Sequence, residues 1–234
     1  MSPRGVPPWR PRPVRRGQRA GQKPGELPLD VEEPDFVEVE DVAVALAERL
    51  GGRFLVEWVL EAALRSNLDR IVLVLGCGHD RIRRRLGALT GHLKCAILVN
   101  PVDPDGLSTS LRAGVARIEA DCRSAMFLLG DQPLVDAAMI DLLLERFAAS
   151  EKTICAPTHR GARGNPTLFG RPFYPAILNL TGDQGARRLI DAHPDQVLAV
   201  EVPDPAVFRD IDRRGDVAAV AARLDLRRCA AEMP

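Results

Sequence analysis

Apolar runs alternate with helical repeats along most of the chain. The run from Ile71 to Leu75, which a glycine follows, has the length and composition of a fully buried strand. The predicted elements are helices over 41–50 and 54–64, a strand over 70–76, a helix over 79–89, a strand over 94–99, a helix over 110–120, a strand over 124–129 and a helix over 136–149. Such alternation predicts an α/β fold, a three-layer sandwich with a mostly parallel sheet.

The first 34 residues differ in composition from the rest of the chain. They hold eight of the nineteen prolines and few apolar residues, which predicts a disordered or irregular arm over 1–34 and a folded domain over 35–234. Residues 1–24 carry six arginines, one lysine and no acid, whereas residues 25–48 carry nine acids and no base. The basic arm fits either a solvated tail or a clamp for phosphate groups.

The charge and cysteine content argue against several classes of protein. Lys and Arg together number 32, as do Asp and Glu, so no net charge favours binding to nucleic acid or to a membrane. The five cysteines are dispersed without a C-x-x-C spacing, which is typical of buried thiols in a reducing compartment. No apolar run approaches the roughly 18 residues of a membrane span. We therefore expect a cytoplasmic protein that binds neither nucleic acid nor a membrane.

One carboxylate stands at the end of a predicted strand. The strand over 124–129 continues into Gly-Asp-Gln-Pro, which places Asp131 in a loop. Ligands in open α/β sheets bind beyond the carboxyl ends of the strands. A single aspartate together with phosphate oxygens is a typical Mg²⁺ site. The alternative is a turn aspartate that caps the following helix, and the sequence leaves both interpretations open.

Three further segments have the composition of ligand-binding loops. Residues 100–114 follow a predicted strand and offer backbone N–H groups and hydroxyls to an anion or a ribose, although Ser108 to Ser110 also fit a plain helix N-cap. Residues 158–169 form a Gly-rich basic loop before an apolar run, and residues 180–188 place glycines before a helix. Each segment alone is ordinary turn chemistry, so only their order along the chain is distinctive.

The order of these blocks resembles the MobA-like nucleotidyltransferase family. A Gly-Asp-Gln-Pro strand end, preceded by Asn…Gly-Leu-Ser-x-Ser-Leu, is followed by Arg-Gly-Asn-Pro, Gly-Asp-x-Gly-Ala-Arg and Asp-Ile-Asp. The likeness extends over residues 51–220 and is greatest to the molybdenum cofactor cytidylyltransferase branch. It implies a Rossmann-like nucleotidyltransferase fold of the nucleotide-diphospho-sugar transferase type.

The resemblance also implies a reaction and its residues. CMP from CTP, or another nucleoside monophosphate from its triphosphate, would join a molybdopterin-type phosphate with release of pyrophosphate, and a molybdoenzyme or its chaperone is a further implied partner. Asp131 and Asp212 would be catalytic, and Mg²⁺ (or Mn²⁺) would bind Asp131 together with Asp212 or its neighbour Asp210. The implied binding residues are Asn100, Gly106, Leu107 and Ser108 for the base and ribose, and Gly164, Asn165, Gly182, Asp183 and Gly185 for the acceptor.

The chain departs from the family pattern near its N-terminus. The family begins with an apolar strand and a Leu-x-Ala-Gly-x-x-x-Arg-Met-Gly-x-x-Lys loop that wraps the triphosphate. The nearest counterpart here is residues 19–23, in which Lys23 falls one residue short of the phosphate-binding lysine. The arginines and prolines before it cannot form an apolar strand. We therefore expect a sheet without one central strand and a weakened cradle for the triphosphate.

Two other functions remain as alternatives. A non-catalytic accessory protein that binds a nucleotide or cofactor fits the altered N-terminal loop, and a turnover assay beside a binding assay distinguishes it from a transferase. A sugar-phosphate nucleotidyltransferase, or a glycosyltransferase with an Asp-x-Asp metal site, would use residues 103–105 or 210–212. Of the four histidines only His159 lies beside the predicted acceptor loop, and none has a Cys or Ser partner at a useful spacing.

Overall fold

Short strands alternate with helices in the computed structural model, which describes residues 49–204 except 51, 77, 102–105 and 183–184, together with 208, 220 and 222. The strands are β1 (Arg49–Leu50), β2 (Arg53–Phe54), β3 (Ile71–Leu75), β4 (Cys95–Val99), β5 (Ser124–Phe127), β6 (Ile154–His159), β7 (Ala162–Arg163), β8 (Thr167–Gly170) and β9 (Val197–Glu201). The helices are α1 (Leu55–Arg65), α2 (His79–Leu86), α3 (Leu107–Ile118), α4 (Ala137–Ala148), α5 (Tyr174–Leu178) and α6 (Arg187–Ala192).

The elements from α1 to α4 lie where the hydrophobic pattern predicts them, whereas no strand after β5 was predicted. Helices α1 and α4 and strands β3, β4 and β5 are within two residues of their predicted bounds. Helix α2 is shorter than predicted and continues as a 3-10 turn over Gly87–Gly91, while α3 begins three residues before its predicted start. Periodicity therefore identifies the type of each element more reliably than its ends.

The predicted helix over 41–50 is wrong at its end. Strand β1 pairs with β2 as an antiparallel hairpin, with Arg49 opposite Phe54 and Leu50 opposite Arg53. Gly52 in the turn has φ of 80°, a conformation that other residues rarely adopt, so the chain can reverse here. The indole N–H of Trp58 donates to the carbonyl oxygen of Leu50 at 3.2 Å and holds the hairpin on α1. Residues 41–48 lie outside the described part.

The longer strands belong to two sheets. Strands β3 and β4 form a parallel pair, in register from Ile71 opposite Cys95 to Leu75 opposite Val99. The second sheet has the order β5–β8–β6–β9, and β7 pairs with the far end of β6. Strands β6 and β9 are parallel, whereas β8 runs antiparallel between β5 and β6. The sequence did not predict β8, because residues 158–169 have the composition of a loop.

Helices cover both faces of the second sheet. On β6, Ile154 packs in a core with α3 and α5, whereas its neighbour Cys155 packs in a core with α1 and α4. On β8, Phe169 belongs to the first of these cores and Leu168 to the second. Successive side chains of a strand point to opposite faces of the sheet. The predicted three-layer α/β sandwich is therefore confirmed.

Strand β3 is less buried than its sequence predicts. Of its five aliphatic residues only Leu75 is buried, and the other four are half-exposed. Within the described ranges β3 forms a ladder with β4 alone, and no strand joins it to β5. The expectation of a fully buried strand is wrong here because an apolar strand needs neighbours on both edges to lose its contact with water.

Helix α3 packs against both sheets. An ideal Cβ on Gly114 would lie 3.6 Å from Cγ2 of Val74 in β3, and Val115 is fully buried beside Ala125 of β5. The backbone N–H of Asn100, just after β4, donates to the carbonyl oxygen of Leu75 at 2.8 Å. These contacts hold the N-terminus of α3 near the carboxyl ends of the strands, where ligands bind in α/β proteins.

Candidate functional site

Asp131 lies in the turn that follows β5, and it is half-buried. The N–H of Gln132 donates to the carbonyl oxygen of Leu129 at 3.3 Å, and the next residues, Leu134 and Val135, are buried in two core clusters. Helix α4 begins with a different carboxylate: Oδ1 of Asp136 accepts from the N–H of Met139 at 2.9 Å. Asp136 is therefore the helix cap, and the cap interpretation of Asp131 is wrong.

A second set of predicted residues lies between β4 and α3. Asn100 is buried, and its Nδ2 donates to Oγ1 of Thr109 at 2.8 Å and to Oγ of Ser110 at 3.2 Å. Gly106 is the N-cap residue of α3 and makes no side-chain cap; its φ of 106° requires glycine. The serine and threonine hydroxyls are thus not plain N-caps, and two of them orient the Asn100 amide.

The hydroxyl of Ser108 is a buried polar group of this turn. The residue has 0% exposure, and its Oγ has no hydrogen-bond partner among the described residues. Burying a hydroxyl without a partner costs about 1–3 kcal/mol by mutational data, which a polar ligand would offset. Leu107 beside it is 43% exposed. The first turn of α3 therefore combines a buried hydroxyl that lacks a partner among the described residues with an exposed apolar side chain.

The predicted acceptor glycines meet this same turn. The N–H of Ser108 donates to the carbonyl oxygen of Gly182 at 3.4 Å. An ideal Cβ on Gly185 would lie 3.3 Å from Cδ2 of Leu107, which leaves little room for a side chain there. Gly182 has φ of 66°, so the chain turns sharply before α6. The structure thus brings together two segments that the sequence assigned to different substrates.

The remaining acceptor residues lie between β7 and β8. Gly164 donates its N–H to the carbonyl oxygen of Pro157 at 3.0 Å, and both Gly164 and Asn165 are half-buried. Arg163, at the start of the loop, forms an ion pair with Asp191 of α6. Strand β8 enters the sheet opposite the end of β5, with Thr167 across from Phe127. The loop and the Asp131 turn therefore extend from the same end of one antiparallel ladder.

His159 ends β6 beside this loop. Its Nδ1 lies 2.8 Å from the carbonyl oxygen of Val202, so Nδ1 carries the proton that it donates there. Glu201 accepts a hydrogen bond from the backbone N–H of Arg160 at 2.9 Å and one from Oγ1 of Thr158 at 3.1 Å. These bonds, the backbone one first, lower the pKa of the exposed Glu201 carboxyl. A carboxylate thus stabilises the strand ends next to the predicted acceptor loop.

Four of the predicted site residues lie outside the described part of the chain: Lys23, Asp183, Asp210 and Asp212. Among the residues that the structure does describe, no three His, Cys, Asp or Glu side chains cluster as a metal site would need. One carboxylate with substrate phosphates is nevertheless a usual Mg²⁺ site, so Asp131 suits a metal that arrives with its nucleotide.

Three residues near these loops were not predicted from the sequence. Asp136 stands directly before an apolar periodic run, which is the usual pattern of an N-cap and could have been found. Thr109 is one hydroxyl in a run of three, and only the fold reveals that it holds Asn100. Phe208 packs on Gly164, a contact between distant segments for which the sequence has no local pattern.

The model of the MobA-like NTP transferase domain matches residues 45–197, which is more than half of the chain. The chain belongs to the MobA-like NTP transferase domain family. The resemblance drawn from the order of the sequence blocks is thereby confirmed. Family membership also supports binding of nucleoside triphosphates. Assignment to the molybdenum cofactor branch is more specific than this family match. No helix in the described ranges is long and apolar enough to cross a bilayer.

Two curated relatives are similar over most of this MobA-like chain. The bifunctional protein GlmU of Trichlorobacter lovleyi is 25% identical over 167 residues, which cover 70% of this chain and 34% of GlmU. The chain thus spans about a third of the length of the GlmU relatives that it matches. The purine catabolism protein PucB of Bacillus subtilis is 27% identical over 172 residues, which cover 71% of this chain and 82% of PucB.

A solved structure shares the fold. The crystal structure of Rv0371c of Mycobacterium tuberculosis in complex with manganese matches with a TM-score of 0.61 and 23% identity, and the match covers 76% of this chain and 90% of that one. At this identity the likeness establishes the architecture alone. The Rossmann-like α/β class predicted from the sequence is therefore confirmed by the comparison as well as by the layers described above.

Proposed function

We propose that this MobA-like chain is a metal-dependent nucleotidyltransferase that transfers CMP from CTP to the phosphate of a molybdopterin-type acceptor, with release of pyrophosphate. The observation that carries the proposal is the separation of two carboxylates in one loop. Asp136 is the N-cap of α4, and Asp131 lies five residues before it, in the turn at the carboxyl end of β5. A carboxylate at the edge where α/β proteins bind ligands is well placed to bind a metal or a substrate.

The donor nucleotide would bind at the first turn of α3. The buried Ser108 hydroxyl and the oriented Asn100 amide would hydrogen-bond the ribose or base, and the exposed Leu107 would pack against the base. Gly106 would leave its backbone open to the ligand. This arrangement supports a nucleoside ligand because it combines one apolar surface with a few converging polar groups.

Mg²⁺ or Mn²⁺ would bind the triphosphate together with Asp131 and with Asp210 or Asp212. The metal would offset the negative charge of the phosphate oxygens, and positioning by the protein would supply much of the remaining rate acceleration. Lys23 is the residue nearest in sequence to the family's phosphate-binding lysine, so we assign it a phosphate contact. Because the surrounding loop differs from the family pattern, we expect CTP affinity below that of relatives with the full loop.

The acceptor would bind Gly164 and Asn165 between β7 and β8, together with Gly182, Asp183 and Gly185 before α6. The first pair extends from the same end of the β5–β8 ladder as Asp131. The glycines before α6 contact the donor-side turn. This proximity supports one shared site for both substrates. A molybdoenzyme or its chaperone would receive the product.

Asp131→Asn tests this proposal. The substitution removes a charge from the metal while preserving shape, so Mg²⁺-dependent CTP affinity should fall by more than about tenfold. Isothermal titration with CTP, with and without Mg²⁺, measures the loss, and cytidylyl transfer to molybdopterin measures the activity. The control, Asp136→Ala, removes the acceptor of the α4 cap, so it should lower the melting temperature and leave CTP affinity unchanged. Unchanged Mg²⁺-dependent affinity in Asp131→Asn contradicts the assignment.

A second candidate is a non-catalytic protein that binds the nucleotide or the cofactor. The altered loop around Lys23 favours it, because a triphosphate needs a glycine-rich nest and a lysine to meet its charge. A chimera with the Leu-x-Ala-Gly-x-x-x-Arg-Met-Gly-x-x-Lys segment ahead of Gly51 distinguishes the two functions. Transfer by the unmodified chain supports the enzyme. Binding without transfer in both proteins supports the accessory role.

A further inference from the structure

The ring of Phe208 lies directly on Gly164, in the loop between β7 and β8. An ideal Cβ on Gly164 would be 2.1 Å from Cδ1 of Phe208 and 2.4 Å from its Cγ. Carbon atoms in contact are normally about 3.5–4 Å apart. At Gly114, Gly170 and Gly185, by contrast, an ideal Cβ would lie 3.3–3.6 Å from its nearest neighbour. The ring therefore occupies the space that any other residue at position 164 would need.

The backbone conformation gives no other reason for a glycine here. Gly161, three residues earlier, has φ of 82° and turns the β6–β7 hairpin, but Gly164 does not have a positive φ. A residue with a side chain could adopt the backbone of Gly164 without strain. The close approach of the Phe208 ring is thus what requires glycine at this position.

Phe208 is held in place by the core. The ring is half-buried and packs against the hydrophobic cluster that contains Leu168 and Val202. The chain leaves β9 at a fixed point, since the N–H of Val202 donates to the carbonyl oxygen of Thr158 at 2.8 Å. On its other side the loop is anchored by the bond from Gly164 N–H to the Pro157 carbonyl at 3.0 Å. The loop is therefore clamped between β6 and an aromatic ring.

We propose that Phe208 is a positioning residue for the acceptor. Its ring, packed on Gly164, fixes the Arg163–Pro166 loop in the conformation that presents the Asn165 side-chain amide to a phosphorylated acceptor. The inference rests on the proposed function, which assigns this loop to the acceptor. A side-chain amide is a neutral donor that recognises a phosphate monoester by hydrogen bonds of fixed direction, so its placement determines affinity.

Three variants test the contact: Phe208→Ala, Gly164→Ala and the double variant. Removing the ring leaves the loop unclamped, and adding a Cβ displaces the ring, so each single variant should raise the acceptor KM about tenfold with a smaller change in kcat. In the double variant the added methyl group has room. Its acceptor KM should equal that of Phe208→Ala, a non-additive result that independent structural losses would not give.

Two control variants separate positioning from general stability. Phe147→Ala removes a second half-buried ring that packs on the same core cluster but lies on α4. Gly91→Ala adds a Cβ that meets no atom within 4 Å. Melting temperatures should fall for both phenylalanine variants, whereas the acceptor KM should rise only for Phe208→Ala. Phe208→Leu, which keeps an apolar contact, should recover part of the loss.

Hydrogen exchange of the loop amides provides a readout that does not depend on turnover. Exchange at residues 161–165 should accelerate about tenfold or more in Phe208→Ala and stay unchanged in Phe147→Ala. Unchanged exchange in Phe208→Ala, or an unchanged acceptor KM in a Phe208→Ala protein that still transfers CMP, overturns this inference alone. Absence of transfer by the wild-type protein overturns the proposed function, and this positioning role with it.

Discussion

Two regions of the molecule contain strands whose burial does not follow their composition: β3 is entirely aliphatic and mostly half-exposed, whereas β6 is less apolar and almost wholly buried. In the second sheet, residues 154–158 of β6 are all buried, since strands lie on both edges and helices on both faces. In the first sheet only Leu75 of β3 is buried. In the part of the chain that the structure describes, β3 pairs only with β4. The composition of a segment thus predicts that it forms a strand, whereas its neighbours in the fold determine how far its side chains are buried.

The first region, which contains the β1–β2 hairpin, α1, α2 and the β3–β4 pair, adds a polar network to an apolar core that includes Leu60, Leu75 and Leu86. Glu57 of α1 is mostly buried and accepts from the N–H of Phe54 and from Nε of Arg85, each at 3.1 Å. Arg53 reaches Glu61 at 2.6 Å and lies with its guanidinium 4.3 Å from the centre of the Trp58 ring. These bonds connect the β1–β2 hairpin, α1 and α2. The first region therefore combines charged contacts with apolar burial, whereas the core of the second depends on burial.

Truncating a ring of the second core should have the largest effect on stability. Phe169 has 0% exposure, and its ring centre lies 5.8 Å from that of Phe127 and 5.9 Å from that of Phe173. Phe169→Ala should lower the free energy of unfolding by about 3–5 kcal/mol. Leu73→Ala in the half-exposed β3 should cost about 1–2 kcal/mol. Urea denaturation with unchanged m-values measures both, and equal losses would remove the distinction between the regions.

The second largest effect should be a loss of folding stability at alkaline pH, which arises in the second region. Burial raises the pKa of the Cys155 thiol to about 11 from an ordinary value of 9.0. Between pH 9 and pH 11 the folded state keeps the Cys155 proton while the unfolded chain loses it. The stability that the protonated, buried thiol contributes is therefore fully present below pH 9 and is lost as the pH rises to 11. The expected loss is about 1–2 kcal/mol. Burial also raises the pKa of Tyr174, to about 12, which extends the decline.

Cysteine variants locate this alkaline effect. Cys155→Ala should flatten the slope of stability against pH between 9 and 11, relative to the wild type. Cys95 in β4 is only half-buried, although burial raises its pKa as well, so Cys95→Ala should change the slope less. Urea denaturation at stepwise pH gives both slopes. A wild-type slope that persists in Cys155→Ala would assign the effect elsewhere.

Removing the charge of Glu57 should have the next largest effect, in the first region. Glu57→Gln loses the ion pair with Arg85 and weakens the bond to the Phe54 N–H, which should cost about 1 kcal/mol. Glu61→Gln is the control: this carboxylate is half-buried and pairs with Arg53 and Arg65, and its loss should stay within about 0.5 kcal/mol of the wild type. Thermal denaturation measures both. Equal effects of the two variants would argue that the buried network contributes no more than surface charge.

Salt should produce the smallest difference between the regions. At about 1 M salt the screening length falls to about 3 Å, which weakens partly exposed pairs such as Arg85–Glu57 and leaves apolar burial intact. Hydrogen exchange of the β3 and β4 amides should accelerate more than that of the β6 and β9 amides. The difference corresponds to a fall of a few tenths of a kcal/mol in the free energy of opening. Equal changes in the two sheets would show that charge supports both alike.

The parts of the fold that the sequence predicts are those that local patterns determine. The runs at β3, β4 and β5 and the helices between them follow from periodicity, and the order of the loops identified the family. Strand β8 was missed because Thr167–Gly170 is four residues long and its partners lie far along the chain. The exposure of β3 was missed for the same reason, since burial depends on which strands become neighbours.

The site shows the same division between local and distant information. Asp131 and the first turn of α3 were found from the sequence, because a strand end and a Gly/Ser loop are local features. Two relations needed the fold: the contact of the α3 turn with Gly182 and the packing of Phe208 on Gly164. Each joins groups whose pairing no spacing rule predicts.

The cap on α4 has a consequence for how this protein can evolve. Because Asp136 supplies the cap, a change at Asp131 leaves the capping hydrogen bond of α4 in place. If Asp131 binds a metal as proposed, a single nucleotide substitution there would alter the metal requirement and keep that cap. On the proposed function, a lineage of such proteins could lose or regain catalysis in one step with the α4 cap intact, which is how binding-only members of an enzyme family can arise.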